Sequence, residues 1–376
     1  MIRRAFNRTD GRILVVVLIS LFAAVFLSVS FIMPSKCKTE DSETEYRNQS
    51  FADFMYLSNK ERDIKDSLIY FYTPDTIDGR LHSNDSIHIQ YSSDGPVFLK
   101  RVTTSSNIMP SGNHARFDEG WGYRAPILFP DLATEIRRFN GITPVLGTRD
   151  PDSLTQIVFS DTFIYVRYCG PDPAHNNIIH CTPDYIADAP RYAIPDSGAL
   201  FINGKVWISA SRGRGDWMDG PFPDKDSLAY HQFISDGFEG QLTLATSDTL
   251  IITDDLVYKH AKSNYLVPTT MDSCSDILGL ISENFIMIGK QVRSTTHINA
   301  ALAAIKGSIS VQDIYDYYND NWKQSLFIQG SIAQRNHGKI HTGEIGHERG
   351  FRAKDYHHDL RFQDNPPPHF LKTQGN

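Results

Sequence analysis

The sequence is poor in features that would assign it a chemistry. It has four cysteines and a net charge of −7, with no surplus of basic residues. Four cysteines are too few for a disulfide scaffold, and without a Lys/Arg surplus we expect no nucleic-acid partner. It also contains no Gly-x-Ser-x-Gly elbow, His-Glu-x-x-His helix or Gly-x-x-x-x-Gly-Lys-Thr loop. We therefore expect no enzyme, no cofactor and no catalytic site.

One long apolar run is present. Residues 13–33 are 21 consecutive positions without a charge, enough for a helix to cross a bilayer core of about 30 Å. Arginines dominate the twelve residues before it, and basic residues stay on the cytoplasmic side. We predict a cytoplasmic segment 1–12 and a single transmembrane helix 13–33 in the inner membrane. The C-terminal domain would then lie outside the cytoplasm, in the periplasm or at the cell surface. The alternative is a cleaved signal peptide, whose apolar core usually has about 7–15 residues.

The remaining chain divides by composition into three parts. We interpret residues 34–66 as a juxtamembrane linker ending in a short amphipathic helix over 51–62. Residues 67–350 are predicted to form a mainly β ectodomain, and residues 351–376 a Pro-rich docking tail. Within the ectodomain, helical patterns are confined to 130–139 and to the Ala-rich stretch 298–305.

A short sequence motif recurs in the ectodomain: apolar residues, a polar residue with glycine, and further apolar residues. It occurs at 200–206 and again at 326–332, with shorter relatives at 77–81 and 304–309. Glycine permits the backbone angles of a sharp corner, and alternate residues of a strand face one side. Short strands with Gly corners favour a β-solenoid with long loops. A β-sandwich is the alternative.

The cysteines leave two interpretations open. Cys169 and Cys181 bracket a loop rich in Pro, Asn and His, and in an oxidising compartment they would close it as a disulfide. The alternative is two free thiols. Cys37 lies just beyond the apolar run, where it would be placed to bridge two copies of the chain.

Two groups of polar residues invite a site. His337, His341 and His347 have the residue type of a metal centre, but glycines interrupt the segment and no Cys or Asp completes a ligand set. We therefore interpret it as a solvated or hydrogen-bonding loop, with no metal. Carboxylates such as Asp254 and Asp255 are numerous, but abundance alone does not predict catalysis, because Asp is common in surface turns.

Aromatic residues beside glycines form the candidate contact surface. Trp121 and Tyr123 lie in one such loop and Trp217 in another. Exposed rings of this kind stack on a sugar or pack against a protein partner. The alternative is that they cover an exposed end of the core.

The C-terminal segment combines apolar residues with three consecutive prolines. The prolines favour an extended strand that needs no ladder partner. We predict that the tail docks on the body through Tyr356, Asp359, Arg361, Pro367 and Phe370, because a disordered tail would leave these apolar side chains exposed.

Both ends of the chain resemble a known bacterial family. Asp10-Gly11-Arg12 before the apolar run resembles the N-terminus of PilX-type minor pilins. The segments 75–84, 95–98 and 326–332 and the tail 356–370 resemble an uncharacterised extracytoplasmic domain, a domain of unknown function found behind such N-termini. The resemblance implies prepilin-type processing between Gly11 and Arg12, and a role in a type IV pilus-like or secretion assembly.

One residue departs from the pilin pattern. If the mature chain began at Arg12, its fifth residue would be Val16, where pilins have a glutamate. This favours a minor or stationary component over a fibre subunit.

Two hypotheses follow. The first is a membrane-anchored structural or interaction protein whose partners are the lipid bilayer and other pilus or secretion proteins. The second is a membrane-tethered glycan-binding or glycan-cleaving β-solenoid.

Overall fold

The computed structural model describes most of the chain after residue 48. The described residues are 49–91, 94–109, 114–139, 154–172, 178–183, 186–211, 215–216, 233–264, 267–270, 274–290, 292–316, 322–343 and 347–373. They are mainly β, which confirms the predicted class, and no helix among them reaches seven residues.

Twenty-eight strands can be described. In chain order they are β1 (Tyr56–Lys60), β2 (Thr76–Asp78), β3 (Leu81–Ser83), β4 (Ile87–His88), β5 (Val97–Phe98), β6 (Val102–Thr104), β7 (Ile108–Met109), β8 (Arg116–Phe117), β9 (Trp121–Tyr123), β10 (Leu154–Ser160), β11 (Phe163–Asp172), β12 (Ile178–Thr182), β13 (Arg191–Ala193), β14 (Ala199–Ile202), β15 (Lys205–Ala210), β16 (Gly215–Asp216), β17 (Phe233–Ile234), β18 (Gln241–Thr246), β19 (Leu250–Leu256), β20 (Lys262–Asn264), β21 (Val267–Thr270), β22 (Ile277–Ser282), β23 (Ile286–Ile288), β24 (Thr295–Ala304), β25 (Ile309–Val311), β26 (Trp322–Asn336), β27 (His341–Thr342) and β28 (Arg349–His358). Short 3-10 helices span Phe51–Asp53, Ile136–Arg138, Ile186–Asp188 and Leu360–Gln363.

Most strands belong to three parallel ladders, here named A, B and C. Ladder A runs β14, β18, β22, the second half of β24, the second half of β26, β1, β3, β6 and β9. Ladder B runs β10, β15, β19, β23 and β25. Ladder C runs the first halves of β24 and β26, then β28, β2, β5 and β8. Gly330 lies where β26 passes from ladder C to ladder A.

The register of ladder A stacks apolar residues of the same kind on one another. One inward-facing row consists of Leu200, Leu244, Leu280, Leu302, Ile332, Tyr56, Leu81, Val102 and Trp121. All of these except Trp121 are at most 2% exposed. Because the side-chain period of a strand is two, a shift of one residue would turn the row outward. The large residues of the inward row therefore favour this register.

The order of strands in ladder A differs from their order in the chain. β1, the first strand of the chain, pairs with β26, near its end. In ladder C, β2 likewise pairs with β28. The N-terminal strands therefore continue ladders A and C from the point where the C-terminal strands stop, and β9 and β14 lie at opposite ends of ladder A. We call one passage of the chain through the ladders a coil, and the series of coils the stack.

A return segment, residues 124–139, connects those two ends. Its contacts follow ladder A in order: Asn84 exchanges two 2.7 Å hydrogen bonds with the backbone of Ile127, Arg335 donates to the Pro130 carbonyl (3.0 Å), Glu283 accepts from the Ala133 N–H (3.1 Å), and Phe201 donates to the Phe139 carbonyl (3.4 Å). The segment therefore crosses the outer face of the ladder from the β3 level to the β14 level.

The outer face of ladder A is apolar and is covered by three pieces of chain. These are the segment around Phe51, the return segment, and the C-terminal tail. Together with the ladder they form a second core whose buried members include Phe51, Phe54, Leu57, Ile127, Ala133, Ile136, Phe201, Ala245, Ile277, Ile281, Ala301, Ala303, Phe362 and Phe370. The main core, enclosed by the three ladders, is separate from it.

Three predictions of helix were wrong. The stretch 51–62 has one 3-10 turn and then strand β1, and 130–139 has only the 3-10 turn Ile136–Arg138. The Ala-rich stretch 298–305 lies in β24 except for its last residue, Ile305. Its alanines are buried on both faces of a ladder, where tertiary packing overrides helix propensity. Strands also begin at 56 and continue to 358, so the ladders extend beyond the predicted range 67–350 at both ends.

Candidate functional site

The last three strands of the stack, β7, β8 and β9, have one edge each without a partner strand in the described part of the chain. Among the described residues, β7 pairs only with β4, β8 only with β5, and β9 only with β6. Such edges expose backbone donors and acceptors to another chain. We call this surface the uncapped end.

Two predicted contact residues lie on the uncapped end. Trp121 continues the buried row of ladder A and is 42% exposed, because no described strand follows β9. Tyr123 follows Ser83 and Thr104, which are both buried, and is 73% exposed. Phe117 on β8 stacks on Phe98 at 5.0 Å between ring centroids and is partly buried. The third predicted contact residue, Trp217, lies outside the described residues.

The opposite end of the stack is closed. β10 pairs antiparallel with β11, which in turn pairs with β12 and β13. In this hairpin Cys169 and Cys181 are joined by a disulfide (S–S 2.03 Å). Cys274 carries a free, buried thiol whose pKa burial raises to about 11.

A polar cleft of about 630 Å³ lies beside the return segment. Its walls come from β1, the turn after β3, the return segment, and the end of β26. They consist of Asn59, Lys60, Arg62, Asp66, Asn84, Asp85, Pro126, Ile127, Leu128, Phe129 and Arg335. Amides and charges on one side and an apolar wall on the other are the composition of a site for a polar small molecule.

The charges of the cleft differ in how they are engaged. Arg335 donates to two backbone carbonyls, and Arg62 pairs with Asp66 at 3.7 Å. Lys60 is exposed and makes no ion pair with the described residues. Asp85 accepts the backbone N–H of Glu61 at 3.2 Å. Among the described residues of the cleft, Lys60 is the cation without an ion pair, so it is the residue to vary in a binding test. Sequence reasoning missed this cleft, because its residues come from separate coils and share no motif.

The histidines of the C-terminal part are held by acidic or aromatic neighbours. The Nδ1 atom of buried His337 lies 2.6 Å from Oε2 of Glu61, which is itself fully buried. Burial alone would raise the pKa of Glu61, but attraction to His337 and its hydrogen bond outweigh burial and lower it. His341 lies against the ring of Tyr72, 5.8 Å between centroids. Within the described part of the chain, no group of three His, Cys, Asp or Glu residues could hold a metal ion.

A second histidine bridges two coils of ladder C. The ring of His357 lies between Asp78 (Nδ1···Oδ2 3.3 Å) and Asp355 (Nε2···Oδ1 2.8 Å). Burial lowers the pKa of His357, but the two carboxylates outweigh burial and raise it. The imidazole occupies the space between these carboxylates, so the two contacts of His357 link β2 to β28.

The carboxylates that the sequence offered for catalysis are internal. Asp254 and Asp255 are 4% and 1% exposed. Asp254 pairs with Arg293 at 3.3 Å, and Asp255 accepts the backbone N–H of His297 at 2.9 Å. Both link neighbouring coils.

The predicted docking residues of the tail lie against the body. Asp359 is 1% exposed, forms a side-chain ion pair with Arg361 (2.6 Å), and begins the 3-10 helix Leu360–Gln363. Tyr356 is buried in β28, and Phe370 is 4% exposed. Pro367 and Phe370 pack over Gly279, where a Cβ atom would come within 2.7 Å of Pro367 and 2.9 Å of Phe370. Gly279 therefore leaves the space that the tail fills.

The predicted membrane segment is not among the described residues, and neither are Gly11 and Arg12. Of the residues described, none forms a helix long and apolar enough to cross a bilayer. Comparison with protein families, curated proteins and solved structures finds no match to this chain.

Proposed function

We propose that this chain is a membrane-anchored extracytoplasmic structural and interaction protein, a component of a type IV pilus-like or secretion-type surface assembly. Residues 13–33 are its single membrane helix, and the body after them lies in the periplasm or at the cell surface. The body presents a binding surface to partner proteins.

The body is a β-solenoid in this proposal. In-register parallel pairing along ladders A, B and C supports it, because stacked coils of one chain bury a common core. A sandwich would instead pack two antiparallel sheets face to face.

The uncapped end is the single observation that carries the interaction role. Repeat folds need terminal caps with a polar outer face, and the described end has unpaired edges and the exposed rings of Trp121 and Tyr123. Aromatic side chains of this kind dominate protein interfaces. A partner that covers this end would supply the missing cap.

The anchor is tested by the N-terminal residue of the membrane-extracted protein. A chain that begins at Arg12 supports prepilin-type processing, and an intact Met1 supports an unprocessed anchor. A chain that begins near Phe31 would mean a removed signal peptide and would overturn the proposal.

The orientation is tested with a thiol reagent that does not cross membranes. Cys274 is buried and Cys169 is bonded to Cys181, so Cys37 is the expected target in spheroplasts. For a chain that keeps Met1, Asn7→Cys in a Cys37→Ser background is the matched control and should label only after lysis. Labelling of the control alone in intact spheroplasts would contradict the orientation.

The polar cleft favours a second function, glycan binding. Its amide and charged groups face an apolar wall, as sugar sites require. Binding of cell-wall and extracellular polysaccharides should fall at least tenfold in Lys60→Glu and remain in Lys306→Glu, another exposed lysine. Equal binding by both variants would exclude the cleft. Release of a reproducible sugar product would favour an enzyme over a structural protein.

A further inference from the structure

We propose that the uncapped end binds the same end of a second copy of this chain, forming a two-fold, head-to-head dimer. This inference rests on the proposed interaction role and names the partner. It is carried by the backbone geometry of β9, the chain lengths near the end, and the closure of the other end.

The backbone of β9 leaves two residues facing the free edge. Val102 donates to the Gly120 carbonyl (3.2 Å), and Arg124 donates to the Thr104 carbonyl (3.0 Å), both across the β6–β9 pair. The N–H and C=O groups of alternate residues point to opposite sides of a strand. The N–H and C=O groups of Trp121 and Tyr123 therefore point away from β6.

A two-fold axis midway between the Gly122 residues of two copies satisfies these groups. The axis lies in the plane of the end, perpendicular to β9, and makes two copies of β9 antiparallel. Trp121 then exchanges two hydrogen bonds with the partner's Tyr123, and Tyr123 with the partner's Trp121. The two Gly122 residues become a non-hydrogen-bonded pair with Cα atoms about 4.5 Å apart. The sequence Trp-Gly-Tyr is thus self-complementary, with an aromatic pair on each side of the axis.

The same axis matches the other two edges. It places β8 (Arg116–Phe117), the last strand of ladder C, opposite β7 (Ile108–Met109), which pairs with β4. The rotation reverses the direction in which the chain winds around the stack, so these pairs are also antiparallel. One symmetry operation therefore covers the three free edges of both copies, as an isologous interface requires.

The chain that follows the return segment is too short to supply this cover. The 14 residues between Phe139 and Leu154 start beside β14, about eight strand spacings of roughly 4.8 Å from β9. To reach β9 and come back, the segment would have to span about 75 Å, whereas 14 residues extend to about 50 Å.

Most of the charges at this end are compensated. Arg116 pairs with Asp118 at 2.8 Å, and Lys100 with Glu119 at 3.1 Å, within one copy. The guanidinium of Arg101 lies beside Gly122, so it is the like charge that the axis brings near its own copy. A strongly charged partner would find no complementary field here.

At the opposite end of the stack, the outer edges of β10 and β14 are occupied within the chain. β11 already occupies the free edge of β10, and Phe139 accepts from Phe201 on β14. A head-to-tail contact would need free edges at both ends and would generate a fibre. The expected product is a dimer.

The test is the protein mass of the full chain in detergent, by native mass spectrometry. The wild type should give twice 42.5 kDa, and Tyr123→Glu should give the single mass. Tyr168→Glu is the matched control, since Tyr168 is 39% exposed on β11 at the closed end, and it should keep the double mass. Cys37→Ser is included in every variant to remove a bridge near the membrane.

The register is tested by Gly122→Cys in the same background. A Cβ at Gly122 meets only the flexible guanidinium of Arg101, at 2.7 Å, so the fold should tolerate it. Mild oxidation should give a reducible dimer for Gly122→Cys and none for Tyr168→Cys. A wild type of single mass with no Gly122→Cys dimer overturns the inference. If Tyr123→Glu then still abolishes co-purification of a pilus or secretion component, the proposed function stands; if it does not, both fail.

Discussion

Removing the Phe370 ring should release the C-terminal tail from ladder A. The ring is 4% exposed, lies over Gly279, and belongs to the outer core with Phe51 and Ile277. Truncating a buried phenylalanine to alanine costs about 3–5 kcal/mol. The site is near a chain end and the tail can partly collapse, so we expect the lower value, about 3 kcal/mol.

The backbone bonds that follow Phe370 report this release directly. Phe51 donates to the Leu371 carbonyl (2.8 Å), and Thr373 donates to the Gln49 carbonyl (2.7 Å). If the tail opens without global unfolding, the amides of Phe51 and Thr373 lose protection while those of the central ladder keep it. A loss of 3 kcal/mol corresponds to about a 100-fold increase in their exchange rates. Hydrogen–deuterium exchange with peptide resolution is the assay.

Leu360→Ala is the matched control, because Leu360 lies in the same tail and is 65% exposed. Its effect should stay within about 0.5 kcal/mol. A change of less than 1 kcal/mol in Phe370→Ala, or an equal change in both variants, would refute the docking of the tail through this ring.

Other buried groups give further predictions. Arg137→Ala should lower the free energy of unfolding by about 2 kcal/mol in urea titrations, because it leaves the buried Glu283 carboxylate without its ion pair. Arg138→Ala, whose partner Glu135 is exposed, should change the free energy of unfolding by less than 0.5 kcal/mol. Equal effects of the two variants would exclude a role of Arg137 in anchoring the return segment. Because the pKa of Glu61 is lowered in the folded state, its carboxylate stabilises the fold fully above the ordinary pKa of 4.5. This stabilisation is lost as the pH falls through the lower pKa of the folded state. Glu61→Gln should therefore reduce the loss in free energy of unfolding between pH 5 and 3, and an unchanged loss in that range would contradict this. Burial lowers the pKa of Lys323 to about 8, so stability should rise between pH 8 and 10.5 as the folded state releases its proton first. Lys323→Met should remove that rise and increase the free energy of unfolding at pH 7 by up to about 3 kcal/mol. A lower urea midpoint of the variant at pH 7 would show that the hydrogen bond from Lys323 to the Val292 carbonyl (2.6 Å) stabilises the fold by more than the burial of the charge costs. Mass spectrometry of a non-reduced digest should find Cys169 and Cys181 in one linked peptide pair, and two alkylated cysteines there would contradict the disulfide.

Local apolar patterning predicted the class of fold. Alternation in stretches such as 242–244 and 286–288 is visible without any partner strand, and it indicates β structure. The same reasoning failed for 51–62 and 298–305, where apolar residues are buried on both sides of a ladder. A strand buried on both faces has no period of two, so its pattern resembles a short helix.

The sequence by itself determined that the body is mainly β and that Trp121 and Tyr123 are candidates for contact. Only the tertiary structure decided that β1 stacks on β26 and that the outer face of ladder A is covered by the tail and the return segment. Pairing between strands more than 270 residues apart, such as Tyr56 with Ile332, leaves no local trace in either strand. The polar cleft and the uncapped end arise from that pairing, because each is defined by which coil lies next to which.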